Sequence, residues 1–496
     1  MIYHSTRNKE EKANSKEAIL KGLCNDGGLF VSDSLTDIRV DINEIMELSY
    51  KDTAKKIFSL LLPDYSEDET ADAVEKAYGE SFADESITPL TKIGEDHLLE
   101  LYHGPTCAFK DVALQMLPQL MSKALKGSGK KILIATATSG DTGKAALEGF
   151  KDVEDIGIAV FYPHGKVSDI QYLQMATQEG KNVAVCAING NFDDAQSGVK
   201  RLFSSDAYTK LSDSGIFLSS ANSINIGRLV PQTVYYFESY KKLCRENVIS
   251  LGQEVDFCVP TGNFGDVLAG YYAKLMGLPV HSLIVASNEN NVLTDFLHTG
   301  VYDRNREFHK TISPSMDILI SSNLERMLYY VSGGDCTLIS KLMNSLSETG
   351  RYEISPELLL KIQEIFKAGC ANDRETKEAL KNAYRETGRL IDPHTAVGYK
   401  VMKENKTEGI PCVLLSTASP YKFCKDVYEA IYDDNESDMD GKDGFYYMEK
   451  LSERTGTIPP EALRSLKSRP VIRKDVIDIK DMEGYILKEA FENIRF

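Results

Sequence analysis

KILIATATSGDTGKAALEGF, residues Lys131 to Phe150, sets the pattern by which the chain is read. Lys131 to Thr138 form a short apolar, β-rich run, which reads as a buried strand. A turn, Ser139-Gly140-Asp141-Thr142-Gly143, closes it, and a helix is predicted to begin near Thr142. The same punctuation returns in GIAVFYP, NVAVCAI, GIFLSSA, VDFCVP, PVHSLIVAS and IPCVLLST, each set apart by helical or turn-like sequence. Buried strands alternating with helices dictate an α/β fold with a mostly parallel sheet. No repeat of fixed period is visible.

Outward from this core the texture changes. Residues 1–85 read as a helical leader. SKEAILKGL offers Ser15 as an N-cap, Asn25 to Gly28 (NDGG) form a turn, and two acidic, helix-rich stretches run to about Phe82. Residues 305–405 read as mostly helical. Asp433 to Gly444 is a polar, acidic stretch whose Asp433, Asp438 and Asp440 lack the spacing of a calcium loop, so it reads as solvated. The last 50 or so residues read as a mostly helical accessory element. The expected division is 1–85, a core over 86–430 with a smaller lobe at about 130–230, and 431–496.

Composition narrows the partners. The 496 residues carry 57 Lys plus Arg against 74 Asp plus Glu, a net charge of −17, which disfavours nucleic acid and anionic membranes overall. No apolar run is long enough to span a bilayer, and the N-terminus lacks a signal-peptide core. The nine cysteines are scattered, odd in number and never form C-x-x-C, which points to free thiols in a reducing cytoplasm. The eight histidines show no metal-ligand spacing, so no metal site is expected.

Candidate chemistry sits where strands end, the side of an open α/β sheet that gathers ligands. Val255 to Pro260 runs into Thr261-Gly262-Asn263-Phe264-Gly265-Asp266 and a helix. That is either an anion cradle of backbone amides at a helix N-terminus or a plain turn capped by Asp266. Thr138 to Gly143 brings hydroxyls, amides and a carboxylate together, and is either a site or a capping turn. It is not a P-loop, because G-x-x-x-x-G-K-[ST] is absent. The run Cys412 to Leu415 delivers Ser416 and Thr417 to its carboxyl end. In LYHGPTCAFKDVALQML, Lys110 sits among small and apolar residues. A desolvated lysine is a nucleophile toward an aldehyde, although composition favours a solvated one. Asn222, Ser223 and Arg228, in SSANSINIGR, form a polar set that either grips an anion or makes a surface salt bridge.

Taken together, YHSTR…SKEAILKGLCNDGGLF, HGPTCAFKD, TATSGDTG, NSINIGR, PTGNFGD and STASPYKF, in this order, resemble the threonine synthases. These are pyridoxal-phosphate enzymes of the tryptophan synthase β superfamily, fold type II. The resemblance implies two open, twisted, mostly parallel sheets flanked by helices, with the cofactor between them, an N-terminal helical domain and a C-terminal accessory segment. It implies that Lys110 bonds the cofactor aldehyde and then shuttles protons. It implies that Gly262, Asn263, Phe264 and Gly265 hold the cofactor phosphate, that Thr417 faces the ring nitrogen and that Asp141 stands beside the cofactor. Thr138, Ser139 and Thr142 fall beside the substrate, and Asn222, Ser223 and Arg228 fall where its phosphate binds. The expected activity is the lyase conversion of O-phospho-L-homoserine and water to L-threonine and phosphate, the last step of threonine biosynthesis, in a cytoplasmic monomer or homodimer. A dehydratase or cysteine-forming enzyme of the same superfamily is the nearest alternative, and a non-catalytic phosphate binder a more distant one. Cys107 stands where the family pattern has an aliphatic residue, and Ser419 and Tyr421 stand where relatives carry His and Ala.

Overall fold

The computed structural model describes residues 1–138, 140–432 and 441–496. Ser139 and residues 433–440, within the acidic stretch, lie outside the described residues.

Two separate sheets organise the chain. The larger has six strands in the order Phe366–Cys370, Val280–Ser287, Val255–Pro260, Cys412–Ser416, Asp96–Glu100, Leu90–Ile93. The first five run parallel, and only the last pair is antiparallel. The smaller sheet has the order Asp475–Asp478, Val183–Asn189, Ile156–Pro163, Lys131–Ala137, Ile216–Ser219, all parallel. All seven apolar runs read as strands are strands, because each is buried on both faces and needs continuous apolar sequence.

The strands not read from sequence are short or marginal. Phe366–Cys370 (FKAGC) carries Lys367 and Gly369 and closes one edge of the larger sheet. Leu90–Ile93 and Asp96–Glu100 form a hairpin whose charged ends mask its strand character. The N-terminal leader also contains a small antiparallel sheet of Lys12–Ala13, Tyr3–Ser5 and Phe30–Val31. Its helices Tyr50–Leu61 and Glu67–Ala77 start at side-chain caps on Ser49 and Ser66. The leader is stapled to the core: Arg7 Nε and Nη2 donate to the two oxygens of Glu325 at 2.9 Å each.

The helices Lys110–Leu125 and Asp141–Phe150 pack together, and Ile226–Arg245 packs against the first of them. A Cβ at Gly149 would fall 1.8 Å from the Leu114 carbonyl, so only glycine permits the first two to approach this closely. Among the described residues no helix is long and apolar enough to cross a membrane.

Candidate active site

The carboxyl ends of neighbouring strands Asp96–Glu100 and Cys412–Ser416 release two loops that are zipped together. Phe109 N–H donates to the Thr417 carbonyl at 2.8 Å, Ser419 N–H donates to the Cys107 carbonyl at 3.1 Å, and Ala108 bridges Ala418. Cys107 adopts φ +59°, a strained value for a non-glycine residue, and is buried as packing. This arrangement places Lys110 at the first position of its helix with its side chain turned inward. Its Nζ donates to Ser315 Oγ at 3.2 Å and lies 3.9 Å from Asp141 Oδ2. Burial brings the amine down to about 8; the nearby cations Lys422 and Arg228 push the same way, while Asp141 and Asp111 oppose. Of the two readings of Lys110, the desolvated amine is the one observed.

Asp141 opens the next helix. Its Oδ1 lies 2.8 Å from Lys422 Nζ and accepts from Gln171 Nε2 at 3.1 Å. Burial alone would raise this carboxyl, but Lys422 and Lys110 outweigh it and hold it well below the usual range. Thr138 Oγ1 accepts from the amides of Gly140 (3.0 Å) and Gly143 (2.9 Å), which fixes the turn that leads into the helix. Thr142 is half-buried beside it, and Ser139 lies outside the described residues.

The Gly262 to Asp266 loop does not behave as a capped turn. No side chain caps the helix Gly265–Leu275, and Phe264 holds φ +60° at its N-cap. Asp266 faces away: its Oδ1 accepts from Tyr235 Oη at 2.5 Å and lies 3.1 Å from Tyr236 Oη. The amides of Gly262, Asn263, Phe264 and Gly265 have no acceptor among the described residues. A row of such amides at a helix N-terminus is a cradle for an anion. A Cβ at Gly262 would fall 2.8 Å from the Ser315 carbonyl, so this glycine lets the segment that holds Lys110 press against the cradle.

Arg228 completes the set. It is buried, its Nη1 donates to the Ala221 carbonyl at 2.7 Å, and its Nε has no partner among the described residues. Among the described residues no carboxylate pairs with it, and at 2% exposure it is no surface group. Burial lowers its guanidinium to about 10, partly offset by Tyr235. Asn222 is exposed, with Oδ1 accepting from Thr136 Oγ1 at 3.2 Å, and Ser223 is half-buried. Thr417 is buried at the end of its strand.

Several site residues carry no sequence signal of their own. Asn323 Nδ2 donates to the carbonyls of Ser223 (3.2 Å) and Asn263 (3.1 Å), tying two loops together. The fully buried Arg326 donates to Asn323 Oδ1 (2.5 Å) and to the carbonyls of Ile224 (2.6 Å) and Phe30 (2.9 Å). His394 Nδ1 lies 2.6 Å from Asp392, so its Nε2 is free to accept the Ser315 N–H at 3.0 Å. Lys422 lies inside a segment the sequence does single out, but only its pairing with Asp141 marks it. Tyr421 bonds Thr457 Oγ1 at 2.6 Å, which explains the bulky residue there as an anchor for the C-terminal segment.

These residues fit pyridoxal phosphate. A buried amine whose pKa is lowered suits its aldehyde, open amides suit its phosphate, and a buried guanidinium with no carboxylate partner among the described residues suits a further anion. Comparison with known proteins agrees. Residues 2–78 match the model of the threonine synthase N terminus, 88–416 that of the pyridoxal-phosphate dependent enzymes, and 395–472 that of the threonine synthase C-terminal region. Threonine synthase of Pseudomonas aeruginosa is 39% identical over 440 residues, covering 87% of this chain and 90% of that one. The chain belongs to the threonine synthase family. The crystal structure of pyridoxal-phosphate-bound threonine synthase from Brucella melitensis superposes with a TM-score of 0.88 at 35% identity, covering 99% of this chain and 100% of that chain. The yeast threonine synthase structure gives 0.86 at 32% identity, covering 99% and 98%. The fold of two sheets expected from the resemblance is thus the family's fold, of type II, and the family is pyridoxal-phosphate dependent.

Proposed function

We propose that this chain converts O-phospho-L-homoserine and water into L-threonine and phosphate, with Lys110 as its catalytic residue. The observation that carries the reading is a buried amine, lowered by burial, set through Ser315 beside a row of backbone amides at a helix N-terminus, with a buried arginine that no carboxylate among the described residues pairs with. When bound, pyridoxal phosphate supplies an electron sink for a carbanion at the substrate α-carbon. Lys110 Nζ would bond the cofactor aldehyde, and its amine would accept the proton from the substrate α-carbon and later return one. The amides of Gly262, Asn263, Phe264 and Gly265 hold the cofactor phosphate. The Thr417 hydroxyl would face the ring nitrogen, and a hydroxyl does not hold that nitrogen protonated as a carboxylate would, which leaves the ring less electron-withdrawing. Asp141 stands beside the cofactor, and Thr138 and Thr142 line the side where the substrate carboxylate lies.

Arg228, with Asn222 and Ser223, grips the substrate phosphate before and after it leaves the γ-carbon. With Arg228 held to the substrate phosphate, the buried Lys110, Asp141 and Thr417 would keep stray water from the reacting carbons until the β-carbon is to be attacked. The free thiols and the acidic surface support a cytoplasmic enzyme without a nucleic-acid partner, acting as a monomer or homodimer. The division at 1–85, 86–430 and 431–496 belongs to the same proposal.

Incubating the purified, yellow protein with phosphohomoserine while following threonine and phosphate together tests the reading. Equal amounts of both are expected. A keto acid and ammonia from serine or threonine, without phosphate, would instead mark a dehydratase. Lys110→Ala is expected to lose the borohydride-trapped cofactor and at least about a thousandfold in kcat/KM.

A further inference from the structure

Lys422 is buried more deeply than Lys110, and the chemistry above gives it no task. Its Nζ lies 2.8 Å from Asp141 Oδ1 and donates to the Thr106 carbonyl at 2.9 Å. The other Asp141 oxygen, Oδ2, is 3.9 Å from Lys110 Nζ. One carboxylate therefore stands between two buried lysines, and it sits closer to the one that bonds nothing else charged. We propose that Lys422 is a positioning residue: by occupying Asp141 it prevents that carboxylate from locking Lys110 into an ion pair, and so sets the ease with which Lys110 releases its proton. This rests on the reading that Lys110 bonds the cofactor aldehyde.

The charges that face Lys110 come from several elements. Asp141 and Asp111 favour its proton, Lys422 and Arg228 oppose it, and Asp266 stands near enough to feel the Lys110 charge. Arg228 is tethered to a backbone carbonyl, and Asp111 is held by the Thr106 hydroxyl and amide. Loss of the Lys422 charge acts twice in one direction. It deletes a like charge near Lys110, and it frees Asp141 Oδ1, which keeps only the neutral Gln171 amide.

The test follows the rate at which the full chain, stripped of cofactor, captures pyridoxal phosphate as a visible absorbance, over pH 6 to 10. Only the neutral amine attacks the aldehyde, so the rate rises with pH through the Lys110 titration. In Lys422→Met this rise is expected to move up by about one pH unit, making capture about tenfold slower at pH 7. Lys422→Arg, which keeps the charge, is expected to return the rise to its original place. Asp141→Asn is expected to move it down. A merely structural role for Lys422 would lower the amount of protein that captures cofactor without moving the rise. An unmoved rise in Lys422→Met overturns the proposal. Should that variant not fold, an unmoved rise in Asp141→Asn overturns it equally. No substrate is present, so this outcome is independent of whether threonine is the product.

Discussion

Burial disfavours the charged form of an acid and of a base alike, so it raises the pKa of one and lowers that of the other. Lys110 shows the second effect and Asp266, one residue past the amide cradle, shows the first. Burial pushes the Asp266 carboxyl up to about 6, although Tyr235 and Tyr236 both offer it hydrogen bonds. Its second oxygen has no partner among the described residues, which is why two good bonds do not restore an ordinary acidity. The unfolded carboxyl titrates near about 3.9. Between the two values the folded chain binds the extra proton, so this group's stabilising contribution is complete below about pH 4 and is lost as pH rises through 6. Asp111 is raised to about 6 by burial and adds a loss of the same sign. Asp266→Asn cannot ionise. Relative to the unaltered cofactor-free chain it should therefore gain roughly 1–3 kcal/mol between pH 4 and pH 7. Urea or thermal unfolding at the two pH values measures this directly, and a constant difference between the two proteins would show that Asp266 ionises normally.

At the scale of an element, the helix Ile226–Arg245 places a cation where its own geometry discourages one. Asn225 caps it by accepting from Gly227 N–H at 2.9 Å, which fixes Arg228 in the first turn, at the positive end of the helix dipole. A buried guanidinium there, without an anion, is costly twice over, and both costs vanish when a phosphate arrives. Arg228→Met should thus leave the substrate-free chain more heat-stable while lowering kcat/KM for phosphohomoserine by one to two orders of magnitude, about 1.5–3 kcal/mol. Cofactor loading should be unchanged; an equal loss of loading would place Arg228 on the cofactor instead. The same element shows what a sequence can and cannot disclose. The strands were legible because burial on both faces demands unbroken apolar runs, whereas Phe366–Cys370 hides its role behind Lys367 and Gly369 at a sheet edge. Lys110 and the Gly262 to Gly265 loop were legible as motifs, since their chemistry is local. Lys422, Asn323 and Arg326 act through partners more than 60 residues away, such as Asp141, Ser223 and Phe30, and no local pattern announces such a pairing.

At the scale of the molecule, the C-terminal segment serves both sheets: Phe445, Met448 and Leu451 cluster with Cys258 and Leu414 of the larger sheet, whereas the residues from Arg473 on join the smaller one. The match to the family's C-terminal model stops at residue 472, and the next residues are structurally committed. Arg473 donates to the carbonyls of Gln178 (3.0 Å) and Gly180 (2.9 Å), and Asp475–Asp478 then pairs in parallel with Val183–Asn189 as an edge strand. Met482, Ile486, Ala490 and Ile494 pack against Leu133, Phe161 and Ile188, covering the outer face of the smaller sheet. A Cβ at Gly157 would fall 2.8 Å from Ile494, so the sheet makes room for this cover. The strand Lys131–Ala137 in that sheet carries Thr138 and leads to Asp141, while the amide cradle belongs to the larger sheet. Loosening the cover should therefore disturb one half of the site and spare the other. Ile486→Ala is expected to cost about 2–4 kcal/mol, read as a lower Tm, because it opens a cavity against the sheet. Near that lowered Tm it should raise KM for substrate while the affinity for cofactor phosphate holds. Parallel loss of cofactor would mean that the two lobes unfold as a single unit.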